Sequence, residues 1–220
     1  MTRTITVKGT GSVSARPDYI VLMFSVSARD MDYEKAMEEA SGRIAALEAA
    51  VRETGFEEGA LKTAGFNVST QYESAKDDCG NFQSVFAGYS CFYRLKLAFD
   101  FDSGRLADVL SAIAGSGTNP ELNISFTVKD VAKVNEALLA SAAVNARTKA
   151  EILCRASGAE LGQLISIDYR WNERDIISPT QYSLENGAMP MLAAKGRCVP
   201  EIRPDDIDLH DTASFIWELQ

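Results

Sequence analysis

The sequence is poor in histidine and in positive charge, and it has no long hydrophobic run. One histidine and four cysteines without C-x-x-C spacing argue against a zinc site, which needs closely spaced nitrogen and sulfur ligands. With 22 Lys and Arg against 31 Asp and Glu, the net charge is −9, and a field of that sign repels phosphate backbones and anionic lipid. No apolar run approaches the roughly 20 residues that span a bilayer. We therefore expect neither nucleic acid binding nor membrane insertion.

The N-terminus shows no export signal. Residues 1–4 lead directly into strand-like sequence, without an apolar segment or a small-residue cleavage site. This pattern predicts a cytoplasmic protein as the sequence is written. A periplasmic or other extracytoplasmic location is predicted instead if a signal peptide has been removed.

The cysteines fall into two kinds of surroundings. Cys91 lies in a strand-like run and Cys154 in a helix-like one, and both are expected to be buried thiols. Cys79 and Cys198 lie in predicted loops, where a disulfide between them is one alternative to two free thiols.

What the sequence does contain is strand-like alternation interrupted by helical periodicity. Three helices are predicted over about 32–54, 103–116 and 131–157, because apolar residues recur there every three or four positions. Their expected caps are Asp30 or Asp32, Asp102 and Asp130 at the starts, and Gly55, Gly115–Gly117 and Gly158 at the ends. On the first helix the apolar stripe is Ala36, Ala40, Ile44, Leu47 and Val51, with Glu38, Glu39 and Arg43 turned toward water.

Strands are predicted where apolar and polar residues alternate. They comprise two within residues 5–26, then 61–73, 86–100, 122–128, 161–170 and 207–219. The order ββαββαβαββ predicts an α+β fold of mainly antiparallel strands with three helices. Residues 1–220 are expected to form a single domain, with two interleaved α/β subdomains as the alternative.

Two segments are predicted to be loops. Residues 73–83 are polar, and residues 173–204 hold four of the six prolines. A loop as long as the second is unusual unless it is functional or disordered. Its apolar centre, residues 189–192, could dock on a neighbouring subunit, fold back over its own sheet or stay mobile.

Several short motifs, taken in order along nearly the whole chain, resemble the SIMPL-domain family. They are Ile5-x-Val-x-Gly-x-Gly with Pro17-Asp18, Leu61-Lys-Thr63, Gly88-Tyr89, Ile124-Ser-Phe126, Ala146-Arg-x-Lys149-Ala150, Gly158-x-x-Leu161-Gly162 and Pro200-x-Ile-x-Pro204. The resemblance implies an α+β fold and large ring-like or channel-like homo-oligomers. It supplies no established catalytic residues. It also implies binding to other proteins, as in the family's animal member, and a link to stress tolerance, as in bacterial members.

Two possible nucleophile or phosphate motifs have simpler interpretations. Gly9-Thr-Gly11 is followed by a proline and a strand, whereas a phosphate loop needs a helix N-terminus there, so a hairpin corner or bulge is predicted. Cys79 lies beside Asp77 and Asp78, whose charges disfavour the thiolate, so a catalytic cysteine is not expected.

The single histidine, His210, shares one face of the last predicted strand with Asp206 and Asp208. These side chains could ligate a divalent ion. Same-face neighbours on one strand lie about 6.5–7 Å apart, which makes convergence on one ion awkward, and a solvated polar face is the simpler interpretation.

These observations lead to three hypotheses. The first is a non-enzymatic assembly or interaction protein that self-associates through strand edges and the proline-rich loop. The second is a small-molecule-binding protein or hydrolase with a cleft between sheet and helices. The third is metal binding at Asp206 and His210. We favour the first, and we assign no catalytic, cofactor-binding or metal-binding residue and no cofactor.

Overall fold

The structure is a computed structural model, and it describes residues 3–76, 81–170, 175–184 and 202–220. In that part of the chain there are three helices and eight strands, which confirms the α+β class. In chain order they are β1 Thr4–Ala15, β2 Tyr19–Asp30, α1 Tyr33–Glu53, β3 Lys62–Lys76, β4 Phe82–Asp100, α2 Ser103–Gly115, β5 Glu121–Thr127, α3 Val131–Ser157, β6 Leu161–Asp168, β7 Ile177–Leu184 and β8 Ile207–Leu219.

The helices begin and end where the sequence predicts. The carboxylates of Asp32, Asp102 and Asp130 accept hydrogen bonds from backbone N–H groups in the first turn of α1, α2 and α3, respectively. Gly158 closes α3 in the left-handed conformation, with φ of 72°. Each cap satisfies backbone groups that a helix end leaves without an intrahelical partner.

The chain divides into two compact units. Unit 1 consists of Met1–Asp18, Thr127–Pro179 and Pro204–Gln220, and unit 2 consists of Tyr19–Phe126 and Thr180–Arg203. Unit 1 is therefore assembled from three separate segments of the sequence.

Unit 1 is a three-stranded antiparallel sheet, in the order β1-β8-β6, with α3 packed on one face. The predicted alternation of the last strand is confirmed: odd-numbered residues of β8 point toward α3. They form a core with Val7 and two alanines of α3, in which the rings of Phe215 and Trp217 stack with centroids 5.5 Å apart. Asp211 also lies on this side of β8, where it accepts a hydrogen bond from the Tyr169 hydroxyl at 3.0 Å.

Gly9 and Gly11 lie inside β1, opposite Ala213 and Asp211 of β8, so the hairpin corner or bulge predicted for them is wrong. A Cβ atom on Gly9 would lie 2.2 Å from the carbonyl oxygen of Ala142, and one on Gly11 would lie 2.1 Å from that of Leu138. Both glycines are there because α3 approaches the strand too closely for any side chain.

Unit 2 contains a five-stranded sheet in the order β3-β4-β2-β5-β7, with α1 and α2 on one face. The pairings β2–β4 and β3–β4 are antiparallel. The alternate residues of β2, β4 and β5 that face the helices are buried, and so is the predicted stripe of α1 except for Ile44, which is half-buried. The members at or below 1% exposure that form the centre of this core are Ile20, Leu22, Phe24, Leu47, Leu95, Leu97, Leu106, Val109, Ile113, Ile124 and Phe126.

The structure corrects both predicted loops. Within 173–204 it places a strand, β7, which the sequence conceals because Pro179 interrupts its alternation. Within 73–83, β3 continues to Lys76 and β4 begins at Phe82. Backbone pairing holds these polar residues in strands although they show no apolar face. The remaining residues of both predicted loops, with the 189–192 segment, lie outside the described residues.

Candidate functional site

The polar face of the last strand does not bring its side chains together. His210 Nδ1 lies 2.8 Å from the hydroxyl of Ser12, and Asp208 accepts a hydrogen bond from the hydroxyl of Ser14 at 2.6 Å. Asp206 precedes the strand. The side chains of His210 and Asp208 thus each bond across to β1, as expected for the polar face of an antiparallel pair. Within the described residues, no three Asp, Glu, His or Cys side chains are placed to share an ion.

Cys91 and Cys154 are buried free thiols, as predicted. Cys91 Sγ lies 3.4 Å from the sulfur of Met37, under α1, and burial raises the pKa of its thiol. Cys79 and Cys198, with Asp77 and Asp78, lie outside the described residues.

Folded protein should therefore leave Cys91 and Cys154 unmodified by a thiol reagent under conditions in which the urea-unfolded protein reacts fully. Reaction needs an accessible thiolate; burial blocks access to both thiols, and for Cys91 it also raises the pKa. Peptide mapping by mass spectrometry after timed alkylation checks this. Modification of Cys91 in the folded state at the unfolded rate would contradict its burial.

The β3–β4 hairpin extends beyond the rest of its sheet. β2 pairs with β4 only as far as Asp30 opposite Tyr89, so residues 82–88 of β4 have β3 as their neighbouring strand. We call residues 72–76 and 82–86 the arm. A two-stranded ribbon is marginally stable in water by itself.

A β-bulge marks the base of the arm. Gln71 lies opposite Gly88 and Tyr72 opposite Phe86, which leaves Ala87 as the extra residue. Gly88 has φ of 116°, and a Cβ atom there would lie 2.6 Å from the carbonyl oxygen of Asp30. The glycine therefore lets the hairpin turn closely past the end of β2.

Aromatic side chains of the arm are exposed to solvent. Phe82 is 71% exposed and Tyr72 is 60% exposed. Tyr72 contacts Phe86 edge to face, with ring centroids 5.9 Å apart, and Phe86 contacts Tyr89 in the same way at 5.3 Å. Lys76 Nζ lies 5.1 Å from the centre of the Phe82 ring. Among the described residues no further strand pairs with the outer edges of the arm. Exposed apolar surface on such a ribbon is typical of an interaction site.

A second feature of unit 2 is a concave notch of about 710 Å³. It is lined by the end of β2, the middle of α1, Phe92 of β4 and the turn before β5. We call it the β2 notch. Its size is within the range of small-molecule sites, roughly 300–1,000 Å³.

Arg43 of α1 forms one wall of the β2 notch. Its guanidinium donates to the backbone carbonyl of Ser27 on β2 and to the carboxylate of Glu39, both at 2.6 Å. The sequence predicted that Arg43 would point into water. It is half-buried instead, because β2 continues there and exposes a carbonyl that an arginine can reach.

The turn between α2 and β5 forms another part of the lining. Ser116 donates to the carbonyl of Ile113 at 2.7 Å, and its hydroxyl lies 2.8 Å from that of Thr118. Asn119 has φ of 44°, and among the described residues it is the one non-glycine with positive φ. Nothing in the spacing of these residues marks them as a site, since they meet residues of α1 only in the folded unit.

None of the helices in the described part of the chain is both long and apolar enough to cross a bilayer.

Comparison with known proteins gives one family and two relatives. Residues 5–217 match the model of SIMPL, which is described as a protein of unknown function (DUF541). The 26 kDa periplasmic immunogenic proteins of Brucella melitensis biotype 1 and Brucella abortus strain S19 are each 27% identical over 197 residues. Those residues are 88% of this chain and 71% of each relative. Because the family match covers nearly the whole sequence, the chain belongs to the SIMPL family.

Proposed function

We propose that this chain is a non-enzymatic assembly protein that self-associates into a large homo-oligomer through the arm. The observation that carries the proposal is the arm itself: a two-stranded ribbon with no further strand at its edges in the described part of the chain, and with Tyr72 and Phe82 largely exposed. Isolated ribbons need a further strand or an apolar partner to be stable, and a second copy of the chain is a partner that is always present.

Charge supports an apolar contact rather than an electrostatic one. At a net charge of −9 two copies repel each other, so their association requires buried apolar area. The arm supplies such area on Tyr72, Phe82 and Val85, and Lys76 is a cation on the same ribbon.

A complementary apolar surface is present on unit 1. β6 is an edge strand of the three-stranded sheet, and its Leu164, Ile165 and Ile167 are about half exposed. Exposed apolar edge strands pair readily with other chains. A second copy thus offers both backbone hydrogen bonds and apolar side chains to an incoming arm.

The biological setting follows from the relatives. Their names place them in the periplasm, and we infer a periplasmic location for this chain. From its membership of the SIMPL family we further propose other proteins as partners and a role in stress tolerance. No step of catalysis is part of the proposal.

Replacing Tyr72 and Phe82 together by serine is expected to reduce the particle from several times the 23.9 kDa chain mass to smaller species, because the double substitution removes most of the exposed aromatic area of the arm. Light scattering coupled to size-exclusion chromatography measures the mass. Far-UV circular dichroism shows whether the variant is folded.

The matched control replaces Val144 and Ile152 by serine. These residues are 67% and 57% exposed on α3, so they resemble the arm pair in exposure and lie in unit 1. The control should keep the wild-type mass. A wild-type monomer would overturn self-association, and an oligomer that survives the arm substitutions would overturn the role of the arm.

A further inference from the structure

We propose that the β2 notch is a binding site for a neutral saccharide, which goes beyond the assembly function. The shape and the chemistry of the notch suit such a ligand. The notch combines the aromatic ring of Phe92 with hydroxyl, amide, carboxylate and guanidinium groups within about 710 Å³. A sugar ring has an apolar C–H face that packs on an aromatic ring. Its rim of hydroxyls both donates and accepts hydrogen bonds.

The charges favour a neutral ligand over an anion. Glu39 neutralises Arg43 at 2.6 Å, and Glu121 adds a second carboxylate to the lining. A phosphate or carboxylate ligand would therefore meet no net positive charge. The guanidinium is planar and fixed by two bonds, and it retains N–H donors suited to a pair of neighbouring hydroxyls.

Gly42 lines the notch, and its lack of a side chain keeps the notch open. Gly42 lies in the middle of α1, where glycine is less favourable than alanine by about 1 kcal/mol. Apart from its chain neighbours and the backbone of its own helix, a Cβ atom at Gly42 would meet no atom within 4 Å, so packing does not require the glycine. A side chain there would project into the notch, and its absence leaves room for a ligand.

The backbone of the turn before β5 provides a second, independent observation that points to a binding site. Asn119 adopts positive φ, an uncommon conformation for a residue with a side chain, and such residues concentrate at functional sites. The hydrogen bonds of Ser116 hold the turn in place, so the amide of Asn119 is presented by a fixed backbone. This part of the lining is therefore preorganised.

The notch also continues along the sheet. A hollow of about 370 Å³ shares Ser25 and Glu121 with it and adds Arg94, Asn123 and Ser183. Two adjoining hollows with balanced charges suit a ligand of linked sugar units better than a single compact molecule. We therefore assign the site to a disaccharide or a longer neutral glycan.

The test uses saturation-transfer NMR and calorimetric titration of the wild-type chain with two neutral disaccharides, maltose and N,N′-diacetylchitobiose. Inorganic phosphate and putrescine serve as anionic and cationic comparators. We expect at least one disaccharide to bind, and to bind more tightly than either ion. Absence of binding by both disaccharides, or tighter binding of phosphate, would overturn the proposal.

Gly42→Leu places a side chain in the notch and should weaken disaccharide binding by about tenfold or more. Leucine also raises helix propensity, so this variant should unfold at a temperature no lower than the wild type, and lost binding cannot be attributed to misfolding. Unchanged affinity in Gly42→Leu would place the ligand elsewhere. The Tyr72→Ser, Phe82→Ser chain should bind the disaccharide like wild type, which separates failure of this proposal from failure of the assembly proposal.

Discussion

Gly11→Ala is expected to lower the free energy of unfolding by roughly 3 kcal/mol, the upper end of the usual range for overpacking. The new Cβ atom would lie 2.1 Å from the carbonyl oxygen of Leu138 and 2.9 Å from the amide nitrogen of Ala142. Both contacts are with helix backbone, so α3 must withdraw from the sheet along its length. Urea unfolding followed by far-UV circular dichroism measures the loss. Fluorescence of Trp217, in a Trp171→Phe background, reports on the core of unit 1.

The matched control is Gly42→Ala. This glycine is also replaced by alanine in a regular element, but the added Cβ meets nothing within 4 Å. Its effect should have the opposite sign, a gain of about 0.5–1 kcal/mol from helix propensity and a less flexible unfolded chain. If Gly11→Ala proved as stable as wild type, the close approach of α3 to β1 would be wrong.

Gly88→Ala is expected to cost about 2–4 kcal/mol, since it combines two unfavourable terms. An alanine at φ of 116° is strained by roughly 1–2 kcal/mol, and its Cβ would lie 2.6 Å from the carbonyl oxygen of Asp30. The bulge must then rearrange, and the arm must shift relative to β2. Urea unfolding gives the loss in stability, and amide hydrogen exchange shows whether the arm loses protection.

The same hairpin offers a control for Gly88. Gly65 lies on β3 near the opposite end, and a Cβ atom there would meet only Arg94 Cβ, at 3.7 Å, which is an ordinary contact. Gly65→Ala should change stability by less than about 0.5 kcal/mol. Equal effects of the two substitutions would show that the bulge carries no particular strain.

The elements that the sequence predicts well are those in which local and long-range preferences agree. β8 alternates because one face lies on α3, and its odd-numbered residues form the core of unit 1. The helices are marked both by an apolar stripe and by caps such as Asp102, whose carboxylate accepts two backbone N–H groups. Element order, helix position and fold class could be inferred from such signals.

The wrong predictions concern residues whose identity is set by contact with a residue far away in the sequence. Gly9 and Gly11 have the spacing of a turn motif, but their partners are more than 120 residues away on α3. One available signal was the small-residue pattern of that helix, Ala142, Ala146 and Ala150, which matches two glycines on a facing strand. β7 and the ends of the arm are stabilised by backbone pairing with neighbouring strands. Such pairing does not require an alternation of apolar and polar residues, so the sequence shows no clear pattern there.

The arm and the β2 notch differ in how much of each could be predicted from the sequence. The exposed aromatics of the arm, Tyr72 and Phe82, are visible as residues, but the polar stretch between them suggests a loop. The β2 notch joins Arg43, Phe92 and Asn119, which are separated by about 50 and 27 positions. Residues this far apart in a single sequence carry no signal of their proximity, which appears only when the fold is known.

The interleaving of unit 1 has a consequence for synthesis on the ribosome. β1 emerges long before its partner strand β8, Ile207–Leu219, so their ladder cannot form until that strand has also been translated. Contacts of such high contact order form slowly. During translation β1, a glycine-containing strand, therefore remains without its partner strand for a long interval. A chaperone can bind to β1 throughout that interval.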